Sequence, residues 1–326
     1  MTIKKDPFKL YDVKSFEDKA AYAKKNFTDA GGIILARNLE HLSTEIFTQE
    51  YPDLTFLMQG ITVNNEGGYA DSIKKLKLQI NGDFRESGTN TNTTGKITLQ
   101  GEDDSIPVFS IDAESDWSEV ELKKAELQNV NLPSRFLEAH NEVYNRKIDY
   151  IGYIGQRRTN GTLKTQGLLT YSGWDTDTAA VTAAAATGVE LYQEIADLIN
   201  RQWTNVFNVS SFKADQVTMP YTVYNIATSK FLNTAGTDMS VLRALQMNFP
   251  TVTFGTTDKA EAGQAAVTSV TVAFSKNRRG MQFRIPVPLN VSSIDQRGFK
   301  YYVESYASIA GLDVIEDGAA ATLTGL

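Results

Sequence analysis

The chain contains no cysteine, which removes disulfide frameworks, thiol nucleophiles and thiolate metal sites from consideration. Histidine is nearly as scarce: His41 and His140 are the only two among 326 residues. A His-x-x-x-His metal motif cannot be built from them, and neither adjoins a catalytic-type Ser or Asp motif. No apolar run reaches membrane-spanning length, and the N-terminal MTIKKDPFKL lacks the apolar stretch of a secretory signal. Matches to the N-glycosylation pattern, such as Asn160-Gly161-Thr162, are therefore read as chance, and a protein made and used in a cytoplasm, without a membrane partner, is expected. Positive charge is in deficit: Asp and Glu number 39 against 32 Lys and Arg, for a formal charge of −7. Wrapping DNA tightly requires a basic surface that releases counterions. Nucleic-acid binding spread over the whole chain is thus not expected, although a locally basic face is compatible with these numbers.

What is present is the composition of a soluble globular protein, with 41% apolar and 22% charged residues. The length suffices for a substantial core, as one large domain or two closely joined ones. No internal repeat is evident.

The stretch from Leu132 to Gly155 dominates the pattern. Phe136, Leu137, Val143, Tyr144, Ile148, Tyr150, Ile151 and Ile154 fall on one side at 3.6 residues per turn. Glu138, Asn141, Glu142, Asn145 and Asp149 are assigned to the other. Pro133 suits the first turn and Gly155 the stop. The expected helix is a rod of roughly 30 Å. His140 and Lys147 lie inside the apolar stripe. Either His140 is a hydrogen-bonded core residue and Lys147 snorkels outward, or both pair across a subunit interface.

A second segment alternates with period two. Lys74-Lys75-Leu76-Lys77-Leu78-Gln79-Ile80 and Lys96-Ile97-Thr98-Leu99-Gln100 read as paired strands with one apolar face. Between them lies Asn81 to Gly95, NGDFRESGTNTNTTG, a connection of about fifteen residues where two to five are usual. Such a hairpin leaves the body of the chain and is supported by something else.

The remaining elements follow in order. Val13 to Phe27 is an amphipathic helical pattern with Phe16, Ala20, Ala23 and Phe27 on one face, either folded back or reaching a neighbour. Ile33 to Met58 is irregular, with a break at Tyr51-Pro52. Ile106 to Ile111 reads as a short strand, and Trp117 to Leu127 as a polar helix. Tyr153 to Trp174 reads as loop and short strand with a turn at Asn160-Gly161. Asp175 to Thr187 is low in complexity, a linker or the approach to a helix. That helix opens on Thr187-Gly188-Val189-Glu190, with capping-box spacing, and continues through Leu191, Ile195, Leu198, Ile199, Trp203 and Val206. Val217 to Pro220 and Val252 to Phe254 read as strands, Tyr221 to Leu232 and Ser240 to Phe249 as helices, and Lys259 to Gly263 as a polar loop. Val267 to Ser275, Met281 to Leu289 and Phe299 to Ile309 are three closing strands.

Catalytic motifs fail one by one. Gly88 to Ile97, GTNTNTTGKI, has six residues between its glycines where a phosphate loop has four, and Ile97 replaces the required Ser or Thr after Lys96. No Gly-x-Gly-x-x-Gly opens a helix and no Gly-x-Ser-x-Gly occurs. Asp103-Asp104 and Glu316-Asp317 read as solvated loop charge. No enzyme activity, cofactor or metal is expected. Arg278-Arg279-Gly280 is a small basic cluster between strands. It is either a solvated turn or a contact to acidic residues of a neighbour or to packaged DNA.

The order of parts resembles the major capsid proteins of tailed bacteriophages, of the α+β Hong Kong 97-type fold shared with encapsulins. The local wording is similar to one branch of them: Ala36-Arg37-Asn38-Leu39-Glu40 and Glu50-Tyr51-Pro52 ahead of the hairpin, then Asn131-Leu132-Pro133 and Arg146-Lys147-Ile148-Asp149-Tyr150-Ile151 on the rod helix. Gly167-Leu168-Leu169 and Met219-Pro220-Tyr221 match later segments, so that the resemblance covers residues 33 to 315. It implies an N-terminal arm (1–58), an extended loop lying over a neighbour (59–110) and a peripheral domain (111–174) whose spine helix is 132–155. An axial domain (175–265) and returning peripheral strands (266–326) complete it. Subunit contacts are then expected at Asp83, Phe84, Arg85, Glu86, Asn90 and Asn92 of the loop and at Phe16, Tyr22 and Phe27 of the arm. Phe136, His140, Val143, Lys147 and Ile151 are the expected working residues of the spine helix, and Arg278 and Arg279 the basic contact.

The implied protein is a non-enzymatic virion component, assembled in the host cytoplasm into hexamers and pentamers of a closed icosahedral shell around double-stranded DNA. Scaffold, decoration and portal proteins are its implied partners. The loop tip, Asp83 to Gly95, holds no lysine, so the covalent lysine–asparagine bond of the type phage is not carried over. Some relatives lose an N-terminal scaffolding segment to a protease; the start at Met1 leaves little room for that, and a separate scaffold or none is expected. An acidic chain suits a shell that holds dense DNA without gripping it. Three rival readings are an encapsulin-like compartment, a surface-layer or secreted structural protein from another class, against which the missing signal argues, and an uncharacterised enzyme, which would need a pocket with convergent titratable groups.

Overall fold

The computed structural model describes residues 54–84, 96–127, 130–158, 161, 163–206, 209–232, 239–264 and 268–326. The amphipathic pattern of Val13 to Phe27 and most of the irregular segment after it lie outside these residues. Strand β1 (Val63–Asn64) leads to a long hairpin, β2 (Ser72–Gly82) and β3 (Ile97–Pro107), paired antiparallel from Ser72↔Pro107 to Gly82↔Ile97. Both strands run further than the alternation alone indicates, and Asp103 and Asp104 are strand residues of β3 rather than loop charge.

Strand β4 (Phe109–Ser118) and helix α1 (Glu119–Leu127) correct two boundaries. Ile106 to Ile111 is not one strand: β3 ends at Pro107, which has no N–H for a ladder, and β4 starts at Phe109. Trp117 belongs to β4, not to the helix. Its ring stacks on Phe136 at 4.9 Å and on Tyr301 at 6.0 Å, so burial between sheet and rod helix outweighs its place in a helical pattern. The helix instead starts from Ser118 and Glu121. The Ser118 N–H donates to Glu121 Oε2 (2.8 Å), and the Glu121 N–H donates to Ser118 Oγ (3.2 Å).

Helix α2 (Leu132–Tyr153) is the rod. Asn131 caps it by accepting from the Ser134 N–H, and Pro133 sits in its first turn. Ile148, Ile151 and Ile154 are buried, but Asp149 is not on a solvated face as its charge suggested. It is buried, and its Oδ1 accepts the Phe56 N–H at 2.9 Å. The cause lies one turn on, at Gly152. A Cβ there would meet the Phe56 ring at 2.4 Å, so glycine lets Phe56 press against the helix and brings its amide to Asp149. Phe56 then packs edge-on against Tyr153 and Phe283.

The stretch read as a linker or the approach to a helix begins with β5 (Asp175–Thr178) and leads into α3 (Gly188–Asn205), which opens with both hydrogen bonds of the Thr187/Glu190 capping box. Strand β6 (Gln216–Pro220), helices α4 (Tyr221–Ser229) and α5 (Val241–Asn248) and strand β7 (Thr253–Thr257) follow. The expected strand Met281 to Leu289 divides at Pro286 into β9 (Met281–Arg284) and β10 (Val287–Val291), which join different sheets.

The other closing strands are β8 (Val270–Phe274), β11 (Asp295–Arg297), β12 (Lys300–Ile309), β13 (Gly311–Val314) and β14 (Ala320–Thr324). Strand β12 pairs with β4 over ten residues, from Lys300↔Ser118 to Ile309↔Phe109, and on its other edge with β10 and β11. A small sheet has the order β1-β9-β13, and a larger one the order β5-β14-β8-β6-β7. The larger sheet draws β8 and β14, from the stretch 266–326, into the same layer as strands from 175–265.

This sheet separates two cores. Val270, Val272 and Phe274 of β8 pack with Ile151, Trp174 and Phe283, while Ala273 faces Leu191, Ile195, Leu198 and Leu245 of the helical side. With both faces covered, β6 and β8 are buried at every position and show no alternation.

Gly155 ends α2 at φ +88°, and a Cβ on it would lie 2.0 Å from the Thr165 carbonyl oxygen. Gly161, at φ +84°, has nothing within 4 Å of the same position. Gly161→Ala is expected to cost about 1 kcal/mol of left-handed strain, and Gly155→Ala at least about 3 kcal/mol because the crossing chain must also move. Urea unfolding of the unassembled chain measures both; equal losses would show that the crossing at Thr165 yields freely.

Candidate functional site

The β2–β3 hairpin is two-faced, because residues directly opposite in an antiparallel pair share a side. One side carries Lys75/Asp104, Lys77/Glu102 and Asn81/Thr98. The other carries Leu76/Asp103, Leu78/Gly101, Ile80/Leu99 and Gly82/Ile97. Leu76, Leu78, Ile80, Ile97 and Leu99 are each between 56% and 73% exposed. Isolated exposed aliphatics are ordinary, but five in a row on one ribbon face form a contiguous apolar surface that the described residues leave uncovered. The sequence pattern disclosed the apolar face. It placed the expected contacts at the tip rather than on this face, which no described residue covers. Of those, Asp83 and Phe84 are exposed at the end of β2; Arg85, Glu86, Asn90 and Asn92 lie outside the described residues, as do Phe16, Tyr22 and Phe27.

The hairpin base is tied to the body by charge. Lys75 Nζ donates to Asp313 Oδ1 at 2.6 Å, bonds the Val314 carbonyl and lies 3.0 Å from Asp104. Arg284 Nε and Gln282 Nε2 donate to Asp313 Oδ2 at 2.6 and 3.0 Å. The Asp313 side chain is fully buried. Burial pushes its carboxyl up, but the hydrogen bonds from Lys75, Arg284 and Gln282 outweigh that and hold it below the usual aspartate range.

On the spine helix α2, Phe136 stacks on Trp117 and Ile151 is fully buried in the core below the larger sheet. Both ring nitrogens of His140 are engaged inside the chain, Nε2 with Ser115 Oγ at 2.8 Å and Nδ1 with Ser305 Oγ at 2.7 Å. Val143 is exposed, and Lys147 is half-buried with its ammonium 5.5 Å from the Tyr150 ring centroid. Burial pushes the Lys147 ammonium below its usual value. His140, Val143, Tyr144 and Lys147 line a cleft of about 350 Å³ between α2 and the β4/β12 sheet, closed by Ile111 and Leu289.

Arg278 and Arg279 stand on the turn between β8 and β9. Arg278 lies 3.6 Å from Glu66 of the same chain, and Arg279 makes no ion pair among the described residues. Together with Arg284, Phe212, Leu76 and Leu78 they line a groove of about 1190 Å³ between the hairpin and the body. Asp317, read from sequence as solvated, accepts the Tyr171 hydroxyl at 2.9 Å. Among the described residues no group of three or more His, Cys, Asp or Glu side chains is placed to hold a metal ion, and no helix is long and apolar enough to cross a membrane.

A projecting, uncored ribbon on a body with two closed cores defines a protein whose working parts are surfaces rather than a pocket. Comparison with solved structures gives the class. The capsid of Myoviridae phage XM1 is 67% identical, with a TM-score of 0.82 over 91% of this chain and 100% of that chain. The capsid of a native GTA particle (14% identity, TM-score 0.65) covers 90% of this chain and 96% of that one; Mycobacterium phage Ogopogo (10%, 0.59) covers 90% and 99%. At these lower identities the likeness shows the fold, the Hong Kong 97-type. A family model described as major capsid protein matches residues 87–326. A search of curated proteins returns no match. The chain belongs to the major capsid protein family and forms the capsid shell of a tailed phage.

Lys75→Met removes one of three donors to a buried carboxylate and is expected to cost about 2 kcal/mol, read in urea unfolding. Because the Asp313 carboxyl is held low when folded, its contribution is full above the ordinary value of 3.8 and is lost as pH falls below it. Asp313→Asn is therefore expected to flatten the acid limb of the stability–pH curve; an unchanged acid limb would mean that Asp313 does not control it.

Proposed function

We propose that the chain closes as hexamers and pentamers into an icosahedral shell around double-stranded DNA, with its hairpin lying across a neighbouring copy. The observation that carries this reading is the uncovered aliphatic face of β2 and β3. Covering five such side chains contributes on the order of 5 kcal/mol per hairpin, and a shell repeats the gain at every subunit. The segment 1–58 is proposed as an arm that adds contact area, with Phe16, Tyr22 and Phe27 as its apolar anchors. Asp83, Phe84, Arg85, Glu86, Asn90 and Asn92 extend the hairpin contact at its tip.

In this reading the peripheral domain is built on α2 and the β4/β12 sheet. The axial domain is built on the larger sheet with α3, α4 and α5, and so includes β8 and β14. Arg278 and Arg279 offer a basic contact on an otherwise acidic chain, with Arg279 the one free of an ion pair among the described residues. Assembly in the host cytoplasm, with scaffold, decoration and portal proteins as partners, is part of the same proposal.

The test is Leu78→Lys combined with Ile80→Lys, which places charge on the aliphatic face while leaving both cores untouched. Far-ultraviolet dichroism of the unassembled chain is expected to be unchanged. Light scattering and negative-stain microscopy are expected to show loss of closed particles by about tenfold or more. Normal shells from this variant would remove the hairpin from the assembly contact.

A further inference from the structure

Three backbone carbonyls converge on one ammonium on the helical side of the larger sheet. Lys230 Nζ donates to the Ala183 and Ala184 carbonyl oxygens at 2.9 and 3.0 Å, and to that of Ala186. A lysine ammonium has three N–H donors and no acceptor, so the three oxygens use all of them. No backbone N–H among the described residues donates to these carbonyls. Ala183 and Ala186 are buried, so the ammonium supplies the partner that the backbone does not. Lys230 makes no ion pair among the described residues. Glu190, the acid of the neighbouring capping box, gives its carboxylate to the Thr187 N–H at 2.7 Å instead.

The same residue joins three helix ends. Its N–H donates to the Ile226 carbonyl at 2.8 Å and closes α4, and its own carbonyl accepts the Val241 N–H at 3.0 Å where α5 begins. Its ammonium holds the turn that leads into α3. Gly188, the first residue of α3, completes the junction: a Cβ there would lie 2.0 Å from the Phe231 carbonyl oxygen. The turn itself is built of alanines, whose methyl groups bury little apolar area, so hydrogen bonds to a charged donor dominate its attachment. We propose that the carbonyls of Ala183, Ala184 and Ala186 form a monovalent-cation site whose resident ion is the tethered Lys230 ammonium, and that its occupancy sets the junction of α3, α4 and α5. Carbonyl oxygens so arranged replace the hydration shell of a cation whether or not the ion is tethered. The ligand class is a primary ammonium, and a free alkylammonium enters once the lysine stem is removed. This site is independent of how the hairpin docks.

Lys230→Ala vacates the site together with the space of the stem, whereas Lys230→Met keeps the stem and removes the charge. Hydrogen exchange of the unassembled full chain is read at the amides of residues 187–191 and 241–244. Both variants are expected to lose protection there by about tenfold or more, while the amides of β8 stay protected. Propylammonium chloride replaces the missing atoms and is expected to restore protection in Lys230→Ala, with saturation, but not in Lys230→Met, whose stem blocks entry. Tetramethylammonium chloride at the same concentration carries the charge without an N–H and is expected to restore neither. Should Lys230→Ala fail to fold, its refolding yield in each of the two salts is the same readout. The proposal is overturned if Lys230→Met keeps the protection of the parent chain, if β8 loses protection equally, or if the two salts act alike on Lys230→Ala.

Discussion

One fully buried carboxylate, Asp313, fixes how the hairpin leaves the body. Its two oxygens receive Lys75 from β2 and Arg284 and Gln282 from β9, so the ribbon and the small β1-β9-β13 sheet are held by the same anion. Taking these charges out of water offsets much of their attraction, so the cluster contributes less to net stability than its short distances suggest. Its value is geometric. A ribbon that swung away would take the Lys75 donor with it and leave the buried Asp313 Oδ1 without that partner. A projecting element with no core of its own needs such a fixed point if it is to present the same face every time.

Behind that anchor, the body is organised by a sheet rather than by the rod helix that dominates the sequence. Strand β8 carries Val270, Val272 and Phe274 to one core and Ala273 to the other. The rod helix closes only the first of these, through Ile148, Ile151 and Ile154 packed near Phe56 and Phe283. Gly152 is what makes this closure tight, since the Phe56 ring occupies the space a side chain would take. The two cores thus share a wall.

A major capsid protein has its chemistry spread over surfaces, and the distribution of unpaired groups reflects that. Most ion pairs join groups with at least one exposed member, where each contributes little. The informative groups are the exceptions: the aliphatic stripe on β2 and β3, and the half-buried Lys147 on the rod helix, which makes no ion pair among the described residues. Both are features a lone globular protein would have covered or neutralised.

The sequence by itself determined the elements whose causes are local. The capping box at Thr187 and Glu190, the stop of the rod helix at Gly155 and the alternation of Leu76, Leu78 and Ile80 each depend on residues within a few positions of one another. The order of those elements was enough to carry the family resemblance. Tertiary structure alone decided the rest. Trp117 became a strand residue because Phe136 and Tyr301 close on it, and Asp149 became a buried acceptor because Phe56 arrives over Gly152. Lys75 differs from Lys74 and Lys77 only because Asp313, far along the chain, lies beneath it. In each case the deciding partner is distant in sequence, and no local pattern encodes which of several equivalent side chains it will meet.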